Sequence, residues 1–193
     1  MKNTKEKLIQ AGSQLFLVNS YHGTGINDVL KICDVPKGSF YNYFPSKEDF
    51  ALEVVAYQMR NSAEFVKENL CNERLAPLDR ISAYLEAISQ GLVDCHFAMG
   101  CPFGSLAQEM SNLSPKLREV LTEAFEIQVT HLADCIRTGQ RRGDIKASLD
   151  CEETAGFIMS SLQGAQIMAK TFLSDDPLHE VRHIIVDVLL PVE

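Results

Sequence analysis

Helical spacing of apolar residues runs through most of this chain and constrains its fold more than any other feature. Apolar residues recur three and four positions apart, and short breaks rich in glycine, proline, serine and aspartate separate the patterned segments. No segment combines strand-like alternation with hairpin turns, and no internal repeat or long flexible linker is present. The sequence therefore predicts an all-α fold.

Cap residues place the boundaries of several predicted helices. Ser46 is expected to cap a long helix ending near Leu70, Ser114-Pro115 to open a helix that Gly143 ends, and Asp150 with Glu153 to form a capping box. The predicted helices cover about residues 3–19, 26–35, 37–44, 46–70, 78–96, 103–112, 115–141, 151–173 and 178–190.

Composition allows one sizeable globular domain, or a small domain attached to a larger one. The 193 residues are 46% hydrophobic and 23% charged, which is ordinary for globular proteins. No apolar run reaches the ~18 residues of a membrane span, and the start MKNTKEKLIQ lacks the apolar core of a signal peptide. We expect a cytoplasmic protein without a membrane partner, whose six cysteines, none in a CxxC pair, are thiols.

Charge is distributed unevenly along the chain. Residues 1–50 hold six lysines and five acidic residues, a net charge of +1, so the −8 of the whole chain leaves −9 for residues 51–193. An acidic protein is a poor candidate for binding nucleic acid, but the first fifty residues are not acidic and could do so. The asymmetry suggests two regions with different tasks.

Two short segments around Pro36 have the pattern of a helix-turn-helix. INDVLKICDV (26–35) would be the supporting helix and KGSFYNYF (37–44) the recognition helix. The second segment is rich in groups that can reach base edges or phosphates and includes a glycine that permits close backbone approach. These residues are Lys37, Gly38, Ser39, Tyr41, Asn42 and Tyr43.

The stretch GTGINDVLKICDVPKGSFYNYFPSKEDF (23–50) closely resembles the DNA-binding signature of the TetR family of bacterial repressors. The resemblance implies a three-helix helix-turn-helix head, residues 1–46, joined to a helical ligand-binding and dimerisation body, residues 47–193. It further implies a homodimer, formed through about residues 152–190, that binds a palindromic double-stranded DNA operator and is released by a small-molecule inducer. No enzymatic activity, cofactor or metal is expected.

Carried over by position, the resemblance gives several residues a role. Thr24 and Lys47 would contact phosphates at helix starts, Lys37 and Gly38 would contact base edges, and Tyr41 and Tyr43 would clamp the DNA backbone. For Phe40 and Phe44 we expect packing in the core of the head, because their spacing buries both on one helix face.

The segment HEVRH (179–183) matches the HExxH pattern of zinc proteases, in which two histidines on one helix face bind the metal. A catalytic zinc needs a third ligand, and within the ten residues that follow, the only carboxylates are Asp187 and the terminal Glu193. His179 and Asp187 would lie about 12 Å apart on one helix, too far for one ion. We expect these histidines at the surface or in an interface.

The segment FAMGCPFGSLAQEMS (97–111) contains a candidate sensor. Gly100-Cys101-Pro102 is expected to begin a helix, where unpaired N–H groups favour a thiolate. The segment resembles the GC(x)nGxLAxE pattern of a TetR branch that includes electrophile-responsive repressors, such as the N-ethylmaleimide-responsive one. The resemblance implies that oxidants or electrophiles would modify Cys101 and release the DNA. Lys170, expected to be buried on an apolar helix, could supply the counter-charge. The alternatives are an inert thiol, a Cys95–Cys101 disulfide, or a metal site with Cys95 and His96.

A ligand pocket is the other candidate sensor. Its predicted walls are apolar side chains with a few polar groups, although for most of them simple core packing is the competing interpretation. They include Phe97, Phe103, Met110, Phe125 and Gln166. Two further classes stay open: a helical protein-interaction module and a zinc hydrolase based on HEVRH. Steep salt dependence would distinguish DNA binding from a protein partner.

Overall fold

The structure, a computed structural model, describes residues 4–192, so the ends of the two predicted domains, residues 1–3 and 193, lie outside the described residues. Across residues 4–192 the chain forms helices and no strand, with one isolated antiparallel bridge between Ile145 and Pro191. The all-α prediction is confirmed. In the same range no helix has both the length and the apolar character needed to cross a membrane.

Nine α-helices follow one another along the described chain. They are α1 (Thr4–Asn19), α2 (Ile26–Cys33), α3 (Lys37–Tyr41), α4 (Lys47–Asn69), α5 (Pro77–Asp94), α6 (Gly104–Met110), α7 (Pro115–Arg142), α8 (Cys151–Phe172) and α9 (Asp176–His183). Helix α9 continues as a π-helical segment, Ile184–Leu189, where a single α-helix was predicted. There the Leu190 N–H donates to the Ile185 carbonyl over 3.1 Å, five residues back.

The predicted N-cap residues accept hydrogen bonds from the first turns of their helices, and of the capping box predicted at Asp150 and Glu153 the bond to Asp150 is present. The Ser46 hydroxyl accepts from the Asp49 N–H at 3.1 Å, and the Ser114 hydroxyl accepts from the Leu117 N–H at 3.1 Å. The Asp150 carboxylate accepts from the Glu153 N–H at 2.8 Å. Helix α7 ends before Gly143, whose φ of +78° suits glycine. Side chains close in sequence thus determine where these helices begin and end.

The chain divides into two compact units. The N-terminal unit comprises the residues up to Ser62 together with Cys101–Ala124, and the C-terminal unit comprises Ala63–Gly100 together with the residues from Phe125 onward. This division differs from the predicted boundary between residues 46 and 47. Helix α4 is continuous through Ser62, and residues 101–124 pack with the N-terminal residues although they are distant in sequence.

Aromatic rings form the centre of the N-terminal unit. Phe40 and Phe44 are 0% and 1% exposed, which confirms their predicted burial. Their ring centroids lie 5.2 and 4.9 Å from that of Phe50, which also contacts Phe16 at 5.9 Å. Helix α1 approaches this cluster closely at Gly12, where an added Cβ would lie 2.2 Å from the Phe50 ring.

The C-terminal unit has a separate apolar core. It is built from the end of α4 and from α5, α7, α8, α9 and the π-helical segment. Lys146 connects the loop after α7 with the end of the π-helical segment. Its N–H donates to the Leu190 carbonyl at 3.0 Å, and its ammonium donates to the Val188 carbonyl at 3.3 Å.

Candidate nucleic-acid interface and sensor segment

Helix α3 and the residues after it present most of the predicted DNA-contacting groups at the surface. Phe40 and Phe44 lie four residues apart and both point into the aromatic core, so the residues between them face outward. Tyr41 and Tyr43 keep 51% and 38% of their surface exposed. The other outward-facing positions are Lys37, Gly38 and Asn42, which are exposed, and Ser39, which is half-buried.

Gly38 is not required by packing within the protein. A Cβ built at this position meets no atom within 4 Å, and the backbone there does not adopt the left-handed conformation that favours glycine. Packing within the described chain therefore does not explain the glycine, and its predicted role in close approach to DNA stays a prediction.

The turn between α2 and α3 orients this surface. Asp34 follows the last residue of α2 with a φ of +53°, and the Val35 N–H donates back to the Leu30 carbonyl at 3.1 Å. Pro36 then precedes the first turn of α3 in extended conformation. The turn predicted around Val35-Pro36 thus consists of one residue in left-handed backbone conformation after α2 and a proline before α3.

Two exposed residues that the sequence did not single out extend the surface. Asn27 and Lys31, on the outer face of α2, line with Lys37 a shallow depression between α2 and α3. Their spacing of four residues on the polar side of an amphipathic helix was the available signal. They add an amide and an ammonium beside the predicted contacts.

Thr24 and Lys47, for which phosphate contacts were predicted, have hydrogen-bond partners within the protein. Thr24 is 1% exposed, and its hydroxyl donates to the Ser20 carbonyl at 2.8 Å. The Lys47 ammonium donates to the Tyr21 carbonyl at 2.6 Å and lies 4.3 Å from the centroid of the Tyr21 ring. Burial lowers the pKa of Lys47, although the charge of Glu109 opposes that shift. Both side chains thus have partners in the α1–α2 turn, and their contact with phosphates stays a prediction.

Cys101 is half-buried in the N-terminal unit and precedes α6 by three residues. The prediction that Gly100-Cys101-Pro102 begin a helix is wrong, since the helix starts at Gly104. A following proline disfavours helical backbone at Cys101, which lies outside the first turn, where the helix dipole acts. All six cysteines are thiols, and Cys95 donates to the Leu92 carbonyl at 3.2 Å.

Lys170 is exposed on α8, which corrects the prediction of a buried ammonium. Helix α8 buries the stripe that includes Leu162, Gln166 and Ala169, and position 170 lies off that stripe. A hydrated ammonium needs no thiolate partner, so the structure removes this argument for Cys101.

The predicted pocket residues are divided between the two units. Phe103 and Met110 are buried in the N-terminal unit. Gln166 is buried in the C-terminal unit, where the half-buried Phe97 and Phe125 pack against the apolar core. Within each unit these side chains contribute to packing, the competing interpretation from the sequence.

The two histidines of HEVRH are exposed, as expected. His179 Nε2 lies 3.0 Å from the Asp175 carboxylate, and His183 Nδ1 lies 2.8 Å from the Asp187 carboxylate. Each imidazole thus contacts an aspartate four residues away, a common pairing on a helix surface.

Two family profiles match this chain. The profile for the N-terminal region of the tetR family of bacterial regulatory proteins matches residues 8–54. The profile for tetracyclin repressor-like C-terminal domains matches residues 77–185. Together they cover the helix-turn-helix and most of the C-terminal helices.

Individual proteins are similar along almost the whole chain. The transcriptional repressor DhaR of Mycobacterium sp. strain GP1 is 32% identical over 97% of this chain and 92% of its own length. The repressor NemR of Escherichia coli K12 is 29% identical over 91% and 88%. A TetR regulatory protein from Rhodobacter sphaeroides superposes with a TM-score of 0.90 at 30% identity over 95% and 97%. Reduced E. coli NemR superposes at 0.87 and 26% over 100% and 99%.

Proposed function

Because this chain belongs to the TetR family of bacterial transcriptional regulators, we propose that it is a repressor that binds a palindromic operator as a homodimer. Release would follow binding of a small molecule or modification of Cys101. The relatives are regulators rather than enzymes, and the zinc-hydrolase alternative is set aside. A regulator of bacterial genes acts in the cytoplasm, where the chromosome lies.

The outward face of α3 is the observation that carries DNA binding. Tyr41 at the end of α3 and Tyr43 just after it are exposed beside a lysine, an asparagine and a glycine, although Phe40 and Phe44 in the same segment lie in the core. Tyrosine hydroxyls suit phosphate contacts, and lysine and asparagine suit base edges. We assign these contacts to Lys37, Gly38, Ser39, Tyr41, Asn42 and Tyr43, and the phosphate contacts of Thr24 and Lys47 stay part of the proposal.

Fluorescence anisotropy with DNA from the region upstream of the gene tests this assignment. If the complex has six to ten phosphate contacts, raising the salt concentration from 50 to 200 mM should weaken binding by about a thousandfold or more. Gly38→Ala should lower affinity by about tenfold because its methyl group projects toward the duplex. Gly91→Ala is the matched control, since a Cβ at exposed Gly91 also meets no atom within 4 Å. Affinity independent of salt would favour the protein-interaction module.

Exposed apolar side chains support a dimer through residues 152–190. Seven large apolar residues within that range keep 47–69% of their surface exposed in the single chain: Phe157, Ile167, Met168, Phe172, Leu173, Ile184 and Val188. Monomeric proteins rarely expose so many on one pair of helices, and stable dimers cover such surfaces. A second copy of the chain is the partner that we propose.

Release from DNA requires a signal that changes the spacing of the two heads. Operator half-sites one helical turn apart demand recognition helices about 34 Å apart, and a dimer that prefers another spacing binds weakly. Helix α4 begins at Lys47, which holds the α1–α2 turn through Tyr21. A tilt of α4 would therefore move the head, and a coupling of about 1–3 kcal/mol gives roughly 5- to 150-fold release.

Cys101 is the proposed covalent trigger, supported by the resemblance of its segment and by overall similarity to NemR. With N-ethylmaleimide, the thiolate sulfur bonds to one alkene carbon and the neighbouring carbon takes a proton from water. A small molecule bound among the apolar residues of the C-terminal unit, near Phe97, Phe125 or Gln166, is the alternative inducer.

The trigger is tested by adding N-ethylmaleimide to preformed protein–DNA complex. Release from wild type and from Cys71→Ser, with retention by Cys101→Ser, would support the covalent trigger. Cys71 is the matched control because it is the exposed cysteine. Equal release from the Cys101→Ser variant would exclude that thiol and direct attention to a non-covalent ligand.

A further inference from the structure

Helix α6 is hydrogen-bonded to the turn that connects α1 and α2. The Glu109 carboxylate accepts from the His22 main-chain N–H at 2.9 Å, and the same oxygen lies 3.1 Å from His22 Nδ1. One turn earlier on α6, the Ser105 carbonyl accepts from the Ser20 hydroxyl at 3.3 Å. All of these residues belong to the N-terminal unit, yet the partners are 85 and 87 positions apart in sequence.

The Glu109 carboxylate is charged at neutral pH. Burial alone would raise its pKa, but hydrogen bonds from the His22 main chain and ring and from the Ser20 side chain outweigh that effect, so the pKa is lowered. A hydrogen bond to a charged acceptor is stronger than a neutral one. The hydrogen bonds between Glu109 and His22 therefore hold α6 against the α1–α2 turn.

Helix α4 holds the residue between these two contacts. Tyr21 accepts from the Lys47 ammonium at 2.6 Å through its carbonyl, and its ring lies below that ammonium. Three consecutive residues of the turn are thus held, Ser20 and His22 by α6 and Tyr21 by α4. The Thr24 hydroxyl then joins this turn to the start of α2 by donating to the Ser20 carbonyl.

We propose that Glu109 is a positioning residue through which a displacement of α6 is transmitted to the α1–α2 turn, and from there to α2 and α3. The inference rests on the proposed function and adds a route to the motion of α4. Cys101 lies three residues before α6, so a change at that thiol acts on the same short helix. Because Glu109 contacts the main chain of His22, moving the carboxylate moves the backbone that leads into α2.

Reciprocity of linkage allows a test without knowledge of the inducer. If α6 influences DNA binding, then DNA binding must influence α6 by the same free energy. Hydrogen exchange of main-chain amides in residues 104–110 is measured with and without DNA from the upstream region. We expect bound DNA to change exchange in wild type, and Glu109→Ala to reduce that change by about fivefold or more.

Two further variants keep the result interpretable. Glu119→Ala removes an exposed carboxylate from α7 in the same unit and should leave the response of α6 intact. His22→Ala removes the ring that contacts Glu109 and packs on the Tyr21 ring, but it keeps the main-chain bond and the sequence of α6. It should reduce the response in part, so it serves if Glu109→Ala does not fold.

The outcomes separate the two proposals. If wild type fails to bind the DNA, the proposed function is overturned and this inference with it. If wild type binds but its α6 amides do not respond, or respond equally in Glu109→Ala, the route through Glu109 is overturned while the repressor assignment stands. Loss of the response in Glu109→Ala, with circular dichroism unchanged, would support the route.

Discussion

Two adjacent residues of α3, Phe40 and Tyr41, should have different roles, the first in stability of the fold and the second in DNA binding. Phe40 has no exposed surface, whereas Tyr41 keeps 51% of its own. Phe40→Ala should destabilise the protein by about 3–5 kcal/mol because a cavity opens among the packed rings. Tyr41→Ala should cost under about 1 kcal/mol and weaken operator binding instead. Urea unfolding followed by circular dichroism, together with DNA anisotropy, would show the division; equal loss of stability in both variants would contradict it.

Burial also sets the reactivity of single cysteines. Removal from water raises the pKa of the Cys135 thiol to about 11, although Arg80 partly opposes the effect. Since the ordinary value is 9.0, the thiolate fraction of Cys135 at pH 8 is lowered about a hundredfold. We expect N-ethylmaleimide to label exposed Cys71 quickly and Cys135 slowly, as measured by mass spectrometry of the peptides. In urea the difference should disappear; equal labelling of the folded protein would refute the burial argument.

The same shift has a consequence for stability. The folded protein binds the Cys135 proton more tightly than the unfolded chain does, so the unfolded chain loses it first as pH rises. The stabilisation of the folded protein by the tightly bound Cys135 proton is therefore fully present below pH 9 and is lost as the pH approaches 11.

At the scale of elements, packing reverses an expectation from helix propensity. Replacing a glycine inside a helix by alanine usually stabilises it by about 0.5–1 kcal/mol. At Gly12 in α1, however, the new Cβ would lie 2.2 Å from the Phe50 ring and 3.1 Å from Val54 of α4. Gly12→Ala should therefore cost about 1–3 kcal/mol in the free energy of unfolding. Gly91→Ala, which meets no neighbour, should not destabilise the protein; a stabilising Gly12→Ala would refute the close approach.

Helix boundaries were predictable where the controlling groups are local. Ser46, Ser114 and Asp150 each accept from an N–H three residues later, so sequence spacing was sufficient. The start of α6 was not predictable in this way, because Pro102 could stand inside or ahead of the first turn. The π-helical segment after α9 also escaped prediction, and Leu190, which follows it, binds the Lys146 N–H from a distant loop through its carbonyl.

For the whole molecule, the exposed apolar face on α8 and the π-helical segment predicts the assembly state. Phe172→Asp would place two carboxylates in a symmetric interface, and we expect folded monomers that no longer bind the operator tightly. Light scattering after size-exclusion chromatography would measure the mass. Leu113→Asp, at an apolar residue that is 65% exposed outside residues 152–190, should leave the dimer intact. A dimeric Phe172→Asp variant would locate the interface elsewhere.

The helical class, the helix caps and the helix-turn-helix segment could be predicted from the amino-acid sequence alone, because each depends on residues within a few positions of one another. The partners of Thr24 and Lys47, the exposure of Lys170 and the contact of Glu109 with His22 could be seen only in the folded chain. Those outcomes depend on contacts between residues far apart in the chain; Lys47 and Tyr21 are 26 positions apart, and Glu109 and His22 are 87. Whether a side chain is buried, and which distant residue it contacts, depends on how the helices pack, so the local spacing of residues cannot predict it.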